Sequence, residues 1–196
     1  MPLQPTLDPL VAALRAIQEL LRETQIPAVI VGGVAASLLG RPRMTKDVDL
    51  LMWLDDSDWP QFLATAQGRG LTPRISDALG FAHDSRVLLL RHDASQIEVD
   101  VTFGAIPFEK AAIHNGGIVL VQGLSLPVPR PEDLVVMKWV AHRPRDLADI
   151  EGLLDAHPTL DCESIRETLS SFAEFLPEMD VVGEFDLYLT KRNRRK

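Results

Sequence analysis

A mixed α+β fold, with a sheet and its helices over the first two thirds of the chain and a helical part after it, is what this sequence predicts. Three observations lead there. Short β-branched runs, AVIV at 28–31 and VDLLMWL at 48–54, alternate with stretches of helical character. Two further pairs of apolar runs flank turn-forming residues, as hairpins do. From Pro129 onward the apolar positions fall into helical spacing, broken by Pro144 and by His157 with Pro158.

Taken in order, residues 7–23 place Leu10, Val11, Leu14, Ile17, Leu20 and Leu21 at intervals of three and four, the stripe of an amphipathic helix. After Pro27, AVIV reads as a buried strand that ends in a tight turn at Gly32 and Gly33. VAASLL then forms a short helix, stopped near Gly40 and Pro42. The strand at Val48–Leu54 is followed by a helix over 57–67, with Ser57 as its N-cap. RVLLLRH and QIEVDVTF flank Asp93, Ala94 and Ser95 as one hairpin, and GIVLVQGLSLPV is a second, turning near Gly123. The expected organisation is a core over 1–128, a helical part over 129–180 and a basic tail over 181–196.

Composition narrows the function. The 196 residues carry 46% hydrophobic and 24% charged side chains, enough apolar material for a packed core and unlike a disordered chain. A net charge of −8 argues against a broad DNA-binding surface. The one strongly basic stretch, Lys191 to Lys196, reads as a solvated tail. A single cysteine, Cys162, excludes an intrachain disulfide and a Cys-based zinc cluster. Neither a membrane-spanning run nor a signal peptide is legible, so a cytoplasmic location is expected.

The chemistry concentrates around two aspartates. In an extended chain Arg43, Thr45, Asp47 and Asp49 share one face, because side chains alternate along a strand. Residues two apart are about 6.5 to 7 Å apart at the backbone, so both carboxylates can lean onto one divalent ion or a close pair. Such an ion also removes the repulsion between them. Upstream, Gly32 and Gly33 end a strand and open a helix, where free amides and the positive helix end suit a phosphate. A third acid is available on the strand 96–103, where Glu98 and Asp100 project to one face and Ile97, Val99 and Val101 to the other. We choose Asp100, whose shorter side chain places an oxygen more rigidly, with Glu98 as the competing assignment; its role is to take the proton of an attacking hydroxyl.

Strand, Gly-Gly, short helix, alternating aspartates and a later acidic strand together resemble the nucleotidyltransferase superfamily that includes DNA polymerase beta. The resemblance runs from about Val29 to Phe103, and within the superfamily GGVAASLLGRPRMTKDVDLL is most similar to the bacterial abortive-infection (AbiEii-like) toxin group. That resemblance implies the nucleotidyltransferase fold. It also implies transfer of an NMP from an NTP, with Mg²⁺ or Mn²⁺ on Asp47, Asp49 and Asp100 and release of pyrophosphate. The acceptor it implies is an RNA end, such as that of a tRNA, or a protein side chain, in a toxin–antitoxin setting with a cognate antitoxin. The family's downstream helical pattern is matched loosely by Lys138 with Arg143, Arg145, Asp146 and Asp149. Lys138 could then neutralise the triphosphate beside Gly32, Gly33, Arg43 and Thr45.

The sequence departs from the small antitoxin-type transferases, which carry Gly-Ser and a nearby downstream Arg where this chain has Gly33-Val34-Ala35, and no second domain for recognising an acceptor is evident. An aminoglycoside acceptor, or a catalytically silent nucleotide-binding or antitoxin-like module, are the alternatives. The five histidines are scattered without metal-binding spacing, and the tryptophans read as core. A P-loop, a three-glycine dinucleotide fingerprint and a nucleophilic serine turn are all missing from the sequence.

Overall fold

The computed structural model describes residues 8–176, 178 and 180–194. The chain packs as two units, one made of residues 1–35 and 43–129, the other of residues 36–42 and 130–196.

In the first unit, helix α1 (Asp8–Thr24) follows the expected amphipathic stripe and buries Leu14, Ile17 and Leu20; Leu7, where the helix was expected to start, lies outside the described residues. The sheet is mixed. Strand β1 (Ala28–Val31) pairs antiparallel with β2 (Asp47–Met52), and β2 pairs parallel with β5 (Glu98–Phe103). Strand β4 (Val87–His92) returns antiparallel beside β5, as the hairpin signal predicts, and β3 (Leu71–Pro73) adds antiparallel to its far edge. The order is β1-β2-β5-β4-β3. The alternating burial of β2 and β5 puts Val48, Leu50, Val99 and Val101 into the core and turns the acids to the opposite face.

Helix α2 (Gly32–Leu39) starts directly where β1 ends. Helix α3 (Trp59–Gly68) begins later than expected: Ser57 lies inside a 3₁₀ turn, Asp56–Asp58, and Pro60 occupies the first helical turn, where its missing N–H leaves nothing unpaired. Trp59 and Phe62 of α3 are buried against Phe103, Trp59 stacked at a centroid distance of 4.1 Å and Phe62 edge-on at 6.2 Å. Helices α4 (Ala78–Ser85) and α5 (Pro107–His114), like the three-residue β3, were not legible in the apolar pattern. A two-stranded sheet of β6 (Gly117–Val121) and β7 (Leu124–Val128) is the expected second hairpin, with Gly123 at φ 76° in its turn.

The second unit is helical. Its elements are α6 (Pro131–Ala141), α7 (Pro144–Ala156), α8 (Cys162–Phe172) and α9 (Val181–Asn193), and the first two each open on a proline. Residues 181–196 were expected to be a basic tail, and here the structure differs: Val181–Asn193 is a helix. Val181 and Phe185, four residues apart, are buried, and Phe185 meets Trp139 edge-on at 5.1 Å while the Trp139 indole N–H donates to the Val181 carbonyl at 2.9 Å. Asp180 caps the helix by accepting from the Gly183 N–H at 2.9 Å. Arg192, part of the presumed solvated run, pairs with Glu151 and Asp155. Arg195 and Lys196 lie outside the described residues. Among the described residues, no helix is long and apolar enough to cross a membrane.

Candidate active site

The Gly-Gly turn and the aspartate strand are built around one another. Val31 and Asp49 are register partners across β1 and β2, so the chain that leaves β1 turns directly over the Asp49 side chain. Gly32 has φ +61°, and a Cβ there would lie 1.7 Å from Asp49 Oδ2. Both facts demand glycine. A Cβ on Gly33 would lie 2.6 Å from Thr45 Oγ1 and 3.1 Å from an Arg43 guanidinium nitrogen. The start of α2 is therefore wrapped by Asp49, Thr45 and Arg43, all from the segment that carries the alternating acids. The Thr45 hydroxyl donates to Asp47 Oδ1 at 2.8 Å, which fixes the direction of that carboxylate.

The parallel pairing of β2 with β5 decides which later acid faces which. Asp49 stands beside Asp100, and Asp47 beside Glu98. Burial pushes the Asp100 carboxyl above the usual aspartate range. Arg74 pulls it back down, Asp49 and Glu98 push it further up, and the net direction is upward. The repulsion from Asp49 is the electrostatic sign that the two carboxylates share one small region. Asp100 is the register partner of Asp49; Glu98, the first residue of β5, is more exposed.

Sequence reading missed Arg74. It follows the short β3, and its guanidinium pairs with both Glu98 and Asp100. No periodicity marks it, because β3 is three residues long and the pairing depends on the register of β3, β4 and β5.

Lys138, expected beside the triphosphate, lies in the helical unit with 5% of its side chain exposed. Its ammonium is bonded to Asp149 at 2.8 Å and to Asp146 at 3.1 Å. Asp146 also accepts from the Arg143 guanidinium at 2.6 Å and the Arg143 N–H at 3.2 Å. Burial raises the Asp146 carboxyl, but the bonds from Arg143 and Lys138 outweigh it and hold the group below the ordinary range. As the side chain stands, its charge is committed to two buried carboxylates.

Three carboxylates of hard oxygen donors, Asp49 packed on Gly32 and beside Asp100 across a parallel strand pair, with Asp47 two residues before it on the same strand, suit Mg²⁺ or Mn²⁺ in donor chemistry. Among the described residues no three His, Cys, Asp or Glu side chains are grouped to hold a metal ion as they stand. Asp100 is turned to Arg74 and Asp47 to Thr45. The glycine turn at the start of α2 offers close approach to a phosphate, and Arg43 beside it offers positive charge.

Several solved structures share this fold at low sequence identity. The antibiotic-resistance factor ANT(2'')-Ia, in its solution structure, superposes with a TM-score of 0.58 at 14% identity, covering 85% of this chain and 93% of that one. The same factor in complex with adenylyl-2''-tobramycin gives 0.54 at 17% identity, over 84% and 97% of the two chains. An antigenic nucleotidyltransferase-like protein from Paracoccidioides brasiliensis gives 0.56 at 18% identity, over 89% and 92%. No curated protein sequence matches. The fold is that of nucleotidyltransferase-like proteins. Residues 15–194 match the family model described as nucleotidyl transferase AbiEii toxin, type IV TA system, and the chain belongs to that family.

Proposed function

We propose that this chain is a metal-dependent nucleotidyltransferase that moves an NMP from an NTP onto an RNA end or a protein side chain and releases pyrophosphate, as the toxin of a toxin–antitoxin pair. The observation that carries this reading is the packing of Gly32 on the Asp49 carboxylate with Asp100 as its register partner, which joins a phosphate-holding turn to an acid pair. Family membership supports it. The reaction needs an NTP and a divalent cation, both available in the cytoplasm, where we place the enzyme.

Each residue then has a task. Asp47, Asp49 and Asp100 would hold Mg²⁺ or Mn²⁺, which when bound neutralises phosphate charge and acidifies a hydroxyl beside it. The amides at Gly32 and Gly33 hold the triphosphate, with Arg43 adding charge as negative character grows on the leaving group. Thr45 keeps Asp47 in place through its 2.8 Å hydrogen bond. The acceptor oxygen forms its bond to the α-phosphorus and its proton passes to Asp100. The bond from the α-phosphorus to the bridging oxygen breaks, and pyrophosphate leaves with the electron pair. Lys138 enters this scheme only if it leaves Asp146 and Asp149.

Incubation of the protein with each α-labelled NTP, Mg²⁺ and either total RNA, lysate protein or aminoglycosides tests the proposal. Label in RNA or protein is the expected outcome. Label on aminoglycosides alone would reassign the acceptor to a small polycation, and no transfer with any of the three would overturn the enzyme reading.

A further inference from the structure

Arg74 is held in the first unit by its backbone, whose N–H donates to the Leu89 carbonyl at 3.0 Å, and by its guanidinium, which spans Glu98 and Asp100 on β5. Only 20% of the side chain is exposed. Its Nε is buried without a hydrogen-bond partner. A guanidinium withdrawn from water is stabilised by full hydrogen bonding, and this one leaves a donor unmatched. Of its two partners, Asp100 is the more buried, and it stands beside Asp49. An arginine aimed at the acid that would complete a cation site occupies the electrostatic place of that cation.

We propose that Arg74 is a built-in counter-cation that competes with the divalent metal for Asp100. In the metal-free protein the guanidinium neutralises Asp100 and Glu98 together. When a divalent ion takes Asp100, the guanidinium keeps Glu98, so Glu98 is the side chain that receives it rather than a metal ligand. This gives the two acids of β5 separate tasks and accounts for a positive side chain among carboxylates that otherwise repel. The proposal rests on the reading of Asp47, Asp49 and Asp100 as ligands.

The test is Mn²⁺ binding to the full chain without nucleotide, read by calorimetry and by the loss of free Mn²⁺ signal in electron paramagnetic resonance. Arg74→Gln is expected to bind Mn²⁺ about tenfold more tightly than the unaltered protein, since one competitor is gone. Arg91→Gln is the control for charge alone, because Arg91 is an exposed register partner of Glu98 on β4; its effect is expected to be less than about twofold. Glu98→Gln is expected to weaken binding, and to do so much less when Arg74 is already Gln, because Glu98 acts through the displaced guanidinium. Thermal unfolding with and without Mn²⁺ checks that each variant folds, and Arg74→Gln should gain the larger upward shift.

Asp49-dependent binding that Arg74→Gln leaves unchanged or weakens, or that Arg91→Gln tightens equally, overturns the competition. Binding that Asp49→Asn does not alter overturns the ligand assignment itself, and with it the basis for the proposal.

Discussion

Gly32 bears two constraints at once, a left-handed backbone at φ +61° and a carboxylate where a Cβ would stand. Gly32→Ala must therefore either strain the turn or push Asp49 aside. The expected outcome is a fall in nucleotidyl transfer of about a hundredfold, with a stability loss of only about 1 to 2 kcal/mol, measured by steady-state rates and urea unfolding. Equal activity in the alanine variant would show that the close approach has no catalytic use. The Gly-Gly and Asp-Val-Asp signals were legible because their chemistry is local in sequence. The Asp49–Asp100 pairing needed the parallel register of β2 and β5, and Arg74 needed three strands aligned, so neither could be read from spacing. The sequence favours Asp100 over Glu98 on side-chain length; in the register Asp100 stands beside Asp49 and Glu98 beside Asp47.

At the scale of elements, α6 and α7 are joined by a buried charge cluster rather than by apolar contact alone. Lys138 sits between Asp146 and Asp149. Replacing Lys138 with Met leaves two buried carboxylates short of a partner and is expected to cost about 3 to 5 kcal/mol in denaturant unfolding. A loss below about 1 kcal/mol, together with a raised KM for NTP, would instead favour a triphosphate role for the lysine. The same cluster sets an acid dependence. Because Asp146 is held below the ordinary carboxylate range when folded, it contributes stability above that range, and the contribution is lost as pH falls through its depressed folded value. Asp146→Asn should flatten the decline of stability as pH falls into and below the ordinary carboxylate range, seen by urea titration at each pH. In helix α9, Val181, Phe185 and Tyr188 have the spacing of a helix stripe facing the core, and the charges at Lys191 and Arg192, which read as a tail in the sequence, form its last turn. Phe185→Ala, which empties a fully buried ring position against Trp139, is expected to cost about 3 to 5 kcal/mol, where a solvated tail would tolerate it.

Taken whole, the molecule joins a mixed sheet that presents acids on one face to a helical unit with its own core, in a chain that belongs to the AbiEii nucleotidyltransferase toxin family. The strands that alternate and the hairpins that turn on recognisable residues were legible because their signals are short-range. The three-residue β3, helix α4 and helix α5 were not, because each is short and its position is fixed by partners distant in sequence. The proposed function turns on which phosphate of the NTP goes where. The most direct measurement gives the protein one NTP labelled at the α-phosphate and, in parallel, the same NTP labelled at the γ-phosphate, with Mg²⁺ and an acceptor fraction. Incorporation of the α label, release of the γ label as pyrophosphate and loss of both in Asp47→Ala are expected. Incorporation of the γ label, or α transfer that survives Asp47→Ala, would contradict nucleotidyl transfer at this site.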